Sequence, residues 1–375
     1  MRVAILGAGY AGMTLARRLA DSLPDAELVV VDDTGTHLVQ HELHRVVRRP
    51  SLADHLELPL ADLLPEATVR EARVTDVDPQ AGVATLDGDE ELSYDVGAVC
   101  LGAETAFYDL PGVEEHATPL KRVPDAREIR ERFLTVPEGG RVVVGGAGLS
   151  GIQVAGELAT LAREADLDRT ITVLEQADSV TPGFPEGFQE AVHEALVERD
   201  VEVRTAAPVE AADADAVILV GGERVSYDQF VWTGGIRGPD ALGGERPSVR
   251  GTLSLTERTF VVGDAARIVD GDGQQVPATA QGAIKAAQVV ARNVERLAEA
   301  DDDAVFDPRL DRLVFEPRGW LVSVGDEVVG MVGPTVVTGR PAKVLKTTTG
   351  AQYLTSVGAA RDALEVVYEE LGLAE

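Results

Sequence analysis

The strongest constraint on this chain is a unit that it carries twice. An apolar run at residues 3–6 leads into Gly7, Gly9 and Gly12, a helical stretch follows at 13–20, and a second apolar run at 28–31 ends at Asp32. The pattern returns as 141–144, then Gly146, Gly148 and Gly151, a helix bearing Val154, Leu158 and Leu161, and a run at 171–174 ending at Glu175. Each unit reads strand, G-x-G-x-x-G turn, helix, strand, acid. The first glycine permits the tight turn, the second lets backbone approach a pyrophosphate, and the third lets helix pack on strand, so that phosphate meets a helix N-terminus. Asp32 and Glu175 are placed to accept hydrogen bonds from a ribose. A turn of this shape that binds nothing is the plainer alternative for either unit alone.

Composition narrows what such a chain does. With 34 Lys+Arg against 64 Asp+Glu the formal charge is -30, which makes nucleic acid and anionic lipid poor partners for the surface as a whole. Only Lys121, Lys285, Lys343 and Lys346 are lysines, and this skew with the acidic excess reads as salt adaptation, since screening by salt relieves carboxylate repulsion. One cysteine, Cys100, excludes an intramolecular disulfide, a cysteine-rich metal site and two-thiol redox chemistry, so redox work requires a cofactor. The longest charge-free run, 142–156, is shorter than the ~18 to 20 apolar residues of a membrane span, and the first strand starts at the N-terminus without a leader pattern. A cytoplasmic protein is expected.

Two dinucleotide units suggest two cofactors, an FAD held permanently and a nicotinamide nucleotide that comes and goes. Glu175 suits the free 2'-hydroxyl of NADH and repels the 2'-phosphate of NADPH, and Gln176 supplies no compensating charge. Downstream, a strand at 259–262 ends in Gly263 and Asp264, a carboxylate suited to the ribityl chain of a flavin. A helix beginning near Pro277 and passing through Ala280 and Gln281 would aim its N-terminus at the flavin pyrimidine edge. His37, His41 and His44, with Glu42 between them, lie at helical spacing; they read as a cover over the flavin through stacking or hydrogen bonds rather than as a metal site. The acidic runs Asp213–Asp215 and Asp301–Asp303 read as solvated loops.

GAGYAG at the start, HLVQ from His37, CLGA from Cys100, GGAGLSG, WTGG from Trp232, VVGDAA and PATAQ together resemble the two-dinucleotide-domain flavoprotein oxidoreductases, most closely type II NADH dehydrogenases, over residues 1–325. The resemblance implies an FAD domain interrupted by an NADH domain, hydride transfer from nicotinamide to flavin N5, and electrons leaving to a quinone. It implies Gly7, Gly9, Gly12, Asp32 and Asp264 on FAD, and Gly146, Gly148, Gly151 and Glu175 on NADH. Two departures stand out. Gln153 occupies the position where the family usually carries a glutamate beside the nicotinamide, and an amide cannot deliver a proton. Glu157, one turn on, is the nearest carboxylate to substitute. Lys285 stands where the family often has a glutamine; it either supports a reduced flavin or an acidic acceptor, or faces outward. Sulfide-oxidising and disulfide-reducing relatives need more cysteines than Cys100 provides.

The expected architecture is α/β: two Rossmann-like dinucleotide-binding domains with a smaller C-terminal α+β unit. The FAD domain is expected at 1–118 and 235–304, the NADH domain at 119–234, and the C-terminal unit at 305–375. The expected activity is FAD-dependent NADH dehydrogenation with a quinone or another small acceptor. The alternatives are an NADH-dependent reductase of an iron-sulfur or rubredoxin-like protein, and a flavin-bound redox sensor. Residues 328–361 contain no Asp or Glu but hold Arg340, Lys343 and Lys346 among apolar residues, which reads either as a core hairpin or as a contact surface for membrane or partner. The last helix, with Leu364, Val367 and Leu371 on one face and Asp362, Glu365 and Glu369 on another, suits packing on a neighbour or in a homodimer.

Overall fold

The two repeated units build two parallel sheets of the same design. The structure, a computed structural model, describes residues 1–300 and 308–371. One sheet runs in the order Thr259–Val261, Val96–Val99, Arg2–Leu6, Glu27–Asp32, Thr68–Glu71, with every pairing parallel. The other runs Thr118–Pro119, Gln229–Trp232, Gly140–Gly145, Arg169–Leu174, Val201–Arg204, again all parallel. Helices cover the sheets, so the strands are apolar on both faces: Val3, Ala4, Ile5 and Leu6 are fully buried, as are Val142, Val143 and Val144. In each unit a three-stranded antiparallel meander precedes a parallel strand that pairs with the strand of the glycine motif. It spans Val74–Asp78, Val83–Leu86 and Glu90–Ser93 in one, and Val209–Ala212, Ala216–Leu219 and Arg224–Ser226 in the other.

Seven described helices have twelve or more residues: α1 (Tyr10–Ser22), α2 (Val123–Thr135), α3 (Leu149–Glu164), α4 (Glu186–Val197), α5 (Ala280–Ala298), α6 (Gly339–Ser356) and α7 (Ala360–Leu371). Helix α1 buries Ala11, Gly12, Met13, Leu15, Ala16 and Leu19 and packs against α5, whose Ala283, Ala286, Ala287 and Ala291 allow close approach. A C-terminal antiparallel sheet, Trp320–Val324, Glu327–Val332 and Thr335–Thr338, sits on α3 and α4. Gly156 makes that seat possible, because a Cβ there would lie 2.7 Å from the Val324 carbonyl carbon.

Three local expectations change. Helix α5 begins at Ala280 and not near Pro277; Thr279 is its cap, accepting from the Gly282 amide at 3.1 Å. His37 lies on the short strand Thr36–Leu38, whereas His41 and His44 lie on the 3-10 turn Gln40–Val47, so the three do not share one helical face. The acid-free stretch is a hairpin arm followed by α6, and its three cations separate: Arg340 is exposed, Lys343 half-buried, and Lys346 turns inward to Glu42 at 2.7 Å. Burial of α6 on the 3-10 turn requires a counter-charge there, and Glu42 supplies it. Asp213 is a turn cap, accepting from the amides of Asp215 and Ala216 and pairing with Arg224 at 2.8 Å. The acidic run Asp301–Asp303, the expected boundary at 304/305 and the side chains of Glu369 and Leu371 lie outside the described residues.

Candidate functional site: a channel between the two glycine turns

At both turns the three glycines answer to three different demands. Gly7 has φ +98, and a Cβ there would lie 2.5 Å from the Cys100 carbonyl oxygen; Gly146 has φ +96 and would meet the Gly234 backbone at 2.8 Å. A Cβ on Gly12 would run into the Gly7 carbonyl oxygen, and one on Gly151 into that of Gly146. Gly9 and Gly148 are the exceptions, with nothing within 4 Å of a Cβ. Both begin a helix and face open space, which is the room a pyrophosphate needs at a helix N-terminus. The donor set therefore fits a dinucleotide at each turn.

The acids after the second strands are fixed in the same way. Asp32 accepts from the Ala8 amide at 2.9 Å and from the Thr34 amide and hydroxyl at 3.0 and 2.8 Å. Glu175 accepts from the Ala147 amide at 2.7 Å and the Ala177 amide at 2.9 Å. Each carboxylate is thus held beside its glycine turn while keeping lone pairs for a ribose.

A channel in two parts starts at the first turn. The part of about 460 Å³ is lined by Gly7, Gly9, Asp32, Thr34 and Arg122, among others. The part of about 380 Å³ is lined by Tyr10, His41, Gln153, Ala280, Gln281 and Trp320, among others. Gly9, Tyr10, Cys100, Lys121 and Asp264, among others, border both parts, so the two adjoin between Asp32 and the start of α3. The N-terminus of α5 opens on the second part through Ala278, Thr279, Ala280 and Gln281, bringing the positive end of its dipole there. Gly263, at φ +72, turns the chain so that Asp264 reaches the waist. Burial pushes the Asp264 carboxyl up, against the pull of Lys121 and Arg246. Arg246 pins this turn by donating to the carbonyl oxygens of Asp264 and Ala266 at 2.7 and 2.8 Å.

The residues read from the sequence therefore divide. Gly7, Gly9, Asp32, Gly263, Asp264, Ala280, Gln281 and Gln153 line the one channel. Gly146, Gly148, Gly151 and Glu175 form the second turn, and α3 runs from that turn to Gln153. Glu157 goes elsewhere: it is 1% exposed and bound to Arg48 at 2.6 Å, with His44 4.0 Å away. Burial pushes its carboxyl up despite Arg48. Lys285 donates to the Glu316 carbonyl oxygen and lies over the Phe315 ring, tying down the segment that leads to Trp320.

Sequence reasoning passed over Tyr10, Lys121 and Trp320. Lys121 carried a faint signal, as one of four lysines in a chain that otherwise uses arginine. Trp320 packs edge-on against Phe184, with centroids 4.9 Å apart, and walls the channel beside Gln153. Among the described residues no helix is long and apolar enough to cross a membrane.

Known proteins of this shape agree. The family model for pyridine nucleotide-disulphide oxidoreductase matches residues 1–287. A type II NADH:quinone oxidoreductase of Staphylococcus aureus is 27% identical over 382 residues, covering 92% of this chain and 93% of its own. The NDH2 of Plasmodium falciparum, solved in complex with NADH, superposes with a TM-score of 0.83 at 14% identity, covering 98% of this chain and 97% of that one. The sulfide:quinone oxidoreductase of Aquifex aeolicus gives 0.80 at 18% identity, with 96% and 92% covered. These two likenesses bear on the fold, a two-dinucleotide-domain α/β architecture. With Cys100 as its one cysteine, the chain carries no redox-active pair of thiols of its own. From the match across its first 287 residues, the chain belongs to the pyridine nucleotide-disulphide oxidoreductase family.

Proposed function

We propose that the protein is an FAD-dependent NADH dehydrogenase that passes electrons to a quinone. The observation that carries this reading is that the two parts of the channel adjoin between the first glycine turn with Asp32 and Gln153 on α3, the helix that the second glycine turn opens. A dinucleotide laid along the first turn would reach the place where a second, laid on the other turn, ends. Bound FAD would supply a carrier that accepts a hydride from NADH and yields electrons to an acceptor. The chain's own residues bind and orient. Gly9 and the start of α1 take the FAD pyrophosphate, Asp32 the ribose and Asp264 the ribityl chain, and the α5 N-terminus with Ala280 and Gln281 stabilises negative charge at the flavin edge. Gly148 and Glu175 take NADH. In this reading 1–118 and 235–304 form the FAD domain and 119–234 the NADH domain.

The test is reduction and reoxidation of the purified, yellow protein in molar potassium chloride. NADH is expected to bleach the flavin about tenfold or more efficiently than NADPH, because the fixed Glu175 carboxylate repels a 2'-phosphate, and Glu175→Gln narrows the gap. A water-soluble quinone should then restore the colour. Equal efficiency with the two nucleotides would sink the Glu175 assignment, and reoxidation by a rubredoxin-like protein but not by quinone would replace the acceptor.

The approach to a membrane is assigned to the C-terminal unit. Val344, Leu345 and Leu364 are 55%, 41% and 55% exposed on α6 and α7, beside a cavity of about 810 Å³ between these helices, and Arg340 and Lys343 lie at the start of α6. Such a surface suits peripheral contact with anionic headgroups or with a second copy. Arg340→Glu combined with Lys343→Glu is expected to lower vesicle co-sedimentation or solution mass while leaving flavin bleaching by NADH as it was. A double variant that matches wild type in both would remove the contact role.

A further inference from the structure

Quinone reduction by NADH has a proton deficit that this channel must meet. The hydride of NADH is equivalent to two electrons and one proton, whereas a quinone becomes a quinol by taking two electrons and two protons. One proton per turnover therefore comes from water and has to be handed to a quinone oxygen. Gln153 cannot give it, and Glu157 is engaged by Arg48 and does not line the channel. Among the described residues lining the part of the channel next to Gln153, the titratable groups are Tyr10, His41, Cys100, Lys121 and Asp264. Lys121 and Asp264 act on one another at the waist, the span assigned to the ribityl chain, and Cys100 has its thiol pushed far up by burial.

Tyr10 and His41 remain, and they are joined. The Tyr10 hydroxyl is hydrogen-bonded to His41 Nδ1 and also accepts from the His41 amide at 3.2 Å. His41 Nε2 lies 3.5 Å from Glu42 Oε1. Glu42 is 3% exposed and is held by Lys346 at 2.7 Å and Arg45 at 3.0 Å. Burial would raise the Glu42 carboxyl, but these two cations outweigh it and keep it ionised. The His41 side chain keeps 32% of its exposure, so water reaches its edge. The phenol of Tyr10 is held neutral by burial, its pKa raised.

We propose that Tyr10 and His41 form the proton relay of this enzyme, Tyr10 donating to the quinone oxygen and His41 reloading it, with Glu42 as the residue that positions the imidazole. This rests on the quinone reading above. As the two electrons arrive, the Tyr10 O–H bond breaks and a quinol O–H bond forms. His41, kept neutral at rest by burial, takes up a proton from water once the phenolate has formed beside it and gives its Nδ1 proton to the phenolate, so that it returns to the neutral form. The balance is one proton taken from water per NADH oxidised. Groups facing His41 are Tyr10 from α1, His37, Glu42, His44 and Arg45 from the strand and 3-10 turn around it, and Lys346 and Tyr353 from α6; burial opposes the imidazolium most, Glu42 favours it, and Lys346 and Arg45 oppose it. The arrangement is a tyrosine, histidine and glutamate in series, with two cations, Lys346 and Arg45, behind the glutamate.

Steady-state rates with NADH and two acceptors decide the matter, a water-soluble quinone that needs protons and ferricyanide that needs only electrons. Tyr10→Phe is expected to lower kcat with quinone about 10²-fold, the usual contribution of a positioned acid, with KM for quinone nearly constant. The ferricyanide rate should fall several-fold at most, so the ratio of the two rates moves. His41→Gln, which leaves the glycine turn intact, should shift the same ratio and is decisive if Tyr10→Phe fails to retain FAD. In the wild type, the quinone rate should show a solvent deuterium effect that the ferricyanide rate lacks. Both rates falling together, or neither changing, overturns the relay and leaves the quinone reading standing. A wild-type protein that reduces ferricyanide but no quinone removes both.

Discussion

Gly148→Val is expected to give a folded, yellow protein that NADH no longer reduces at a useful rate. Gly148 has φ -69 and ψ 179, a conformation open to any residue, and its Cβ position has no neighbour within 4 Å. Valine there should cost no more than about 1 kcal/mol, the usual penalty for an apolar residue at an N-cap. What it fills is the space through which a pyrophosphate would approach the start of α3, and displacement of the nucleotide by about 1 Å costs on the order of 10²-fold in rate. Flavin bleaching in a stopped-flow mixer measures the loss, and visible absorbance together with melting temperature shows that the fold and FAD are intact. Gly9, at φ -66 and ψ -165 with the same open surroundings, predicts the mirror result: Gly9→Val folds but is colourless. Gly12 and Gly151 behave differently, since a side chain on either strikes the carbonyl oxygen of the turn and costs the fold before any ligand arrives. A Gly148→Val protein that bleaches with NADH as fast as wild type would show that the second turn holds no nucleotide.

The architecture was readable because it depends on local features. Glycines at fixed offsets between an apolar run and a helix, closed by an acid, specify strand, turn and helix within about thirty residues, and the chain states that pattern twice. Asp264 and Gln281 were readable for the same reason, lying at a strand end and a helix start. What the pattern could not reveal is pairing at long range. Glu42 and Lys346 are 304 positions apart, and nothing in the neighbourhood of either names the other. Lys346 was consequently open to two readings, a contact-surface cation or a core cation capped by an acid from elsewhere in the fold, and the structure gives it the second. Glu157 misled in the opposite sense. Its position one turn past Gln153 suggested the same exposure, but a turn of α3 is enough to move a side chain from the channel wall to the interface with Arg48. The histidines at 37, 41 and 44 match helical spacing, yet a strand and a 3-10 turn carry them, and two of them meet at Tyr10 by that route. His37 is tied to the Ala8 carbonyl oxygen and to the Tyr353 hydroxyl, and so joins the first glycine turn to α6.

Those same histidines make the fold sensitive to mild acid. His37 is fully buried, and burial pushes its pKa down to about 4, with the Ala8 carbonyl and Asp32 opposing only in part. Burial also lowers His41 and His44, the latter well below the ordinary value, with Lys346 adding to the effect. In the unfolded chain a histidine titrates near 6.5. Between that pH and the native value the unfolded state binds a proton that the native state refuses, so stability falls as pH falls. For His37 alone the loss from pH 7 to pH 5 amounts to about 2 kcal/mol, and His41 and His44 act with the same sign. Glu157 and Asp264, raised by burial, work in the other direction and offset part of this loss. Relief of repulsion among surface carboxylates belongs to the same lower range and is screened in molar salt. Denaturant unfolding in molar potassium chloride at pH 7, 6 and 5 should therefore show a steady decline, with His37→Asn shallower in slope than wild type. A stability that is flat or rising from pH 7 to pH 5 would mean that the buried His37 and His44 are charged in the folded protein.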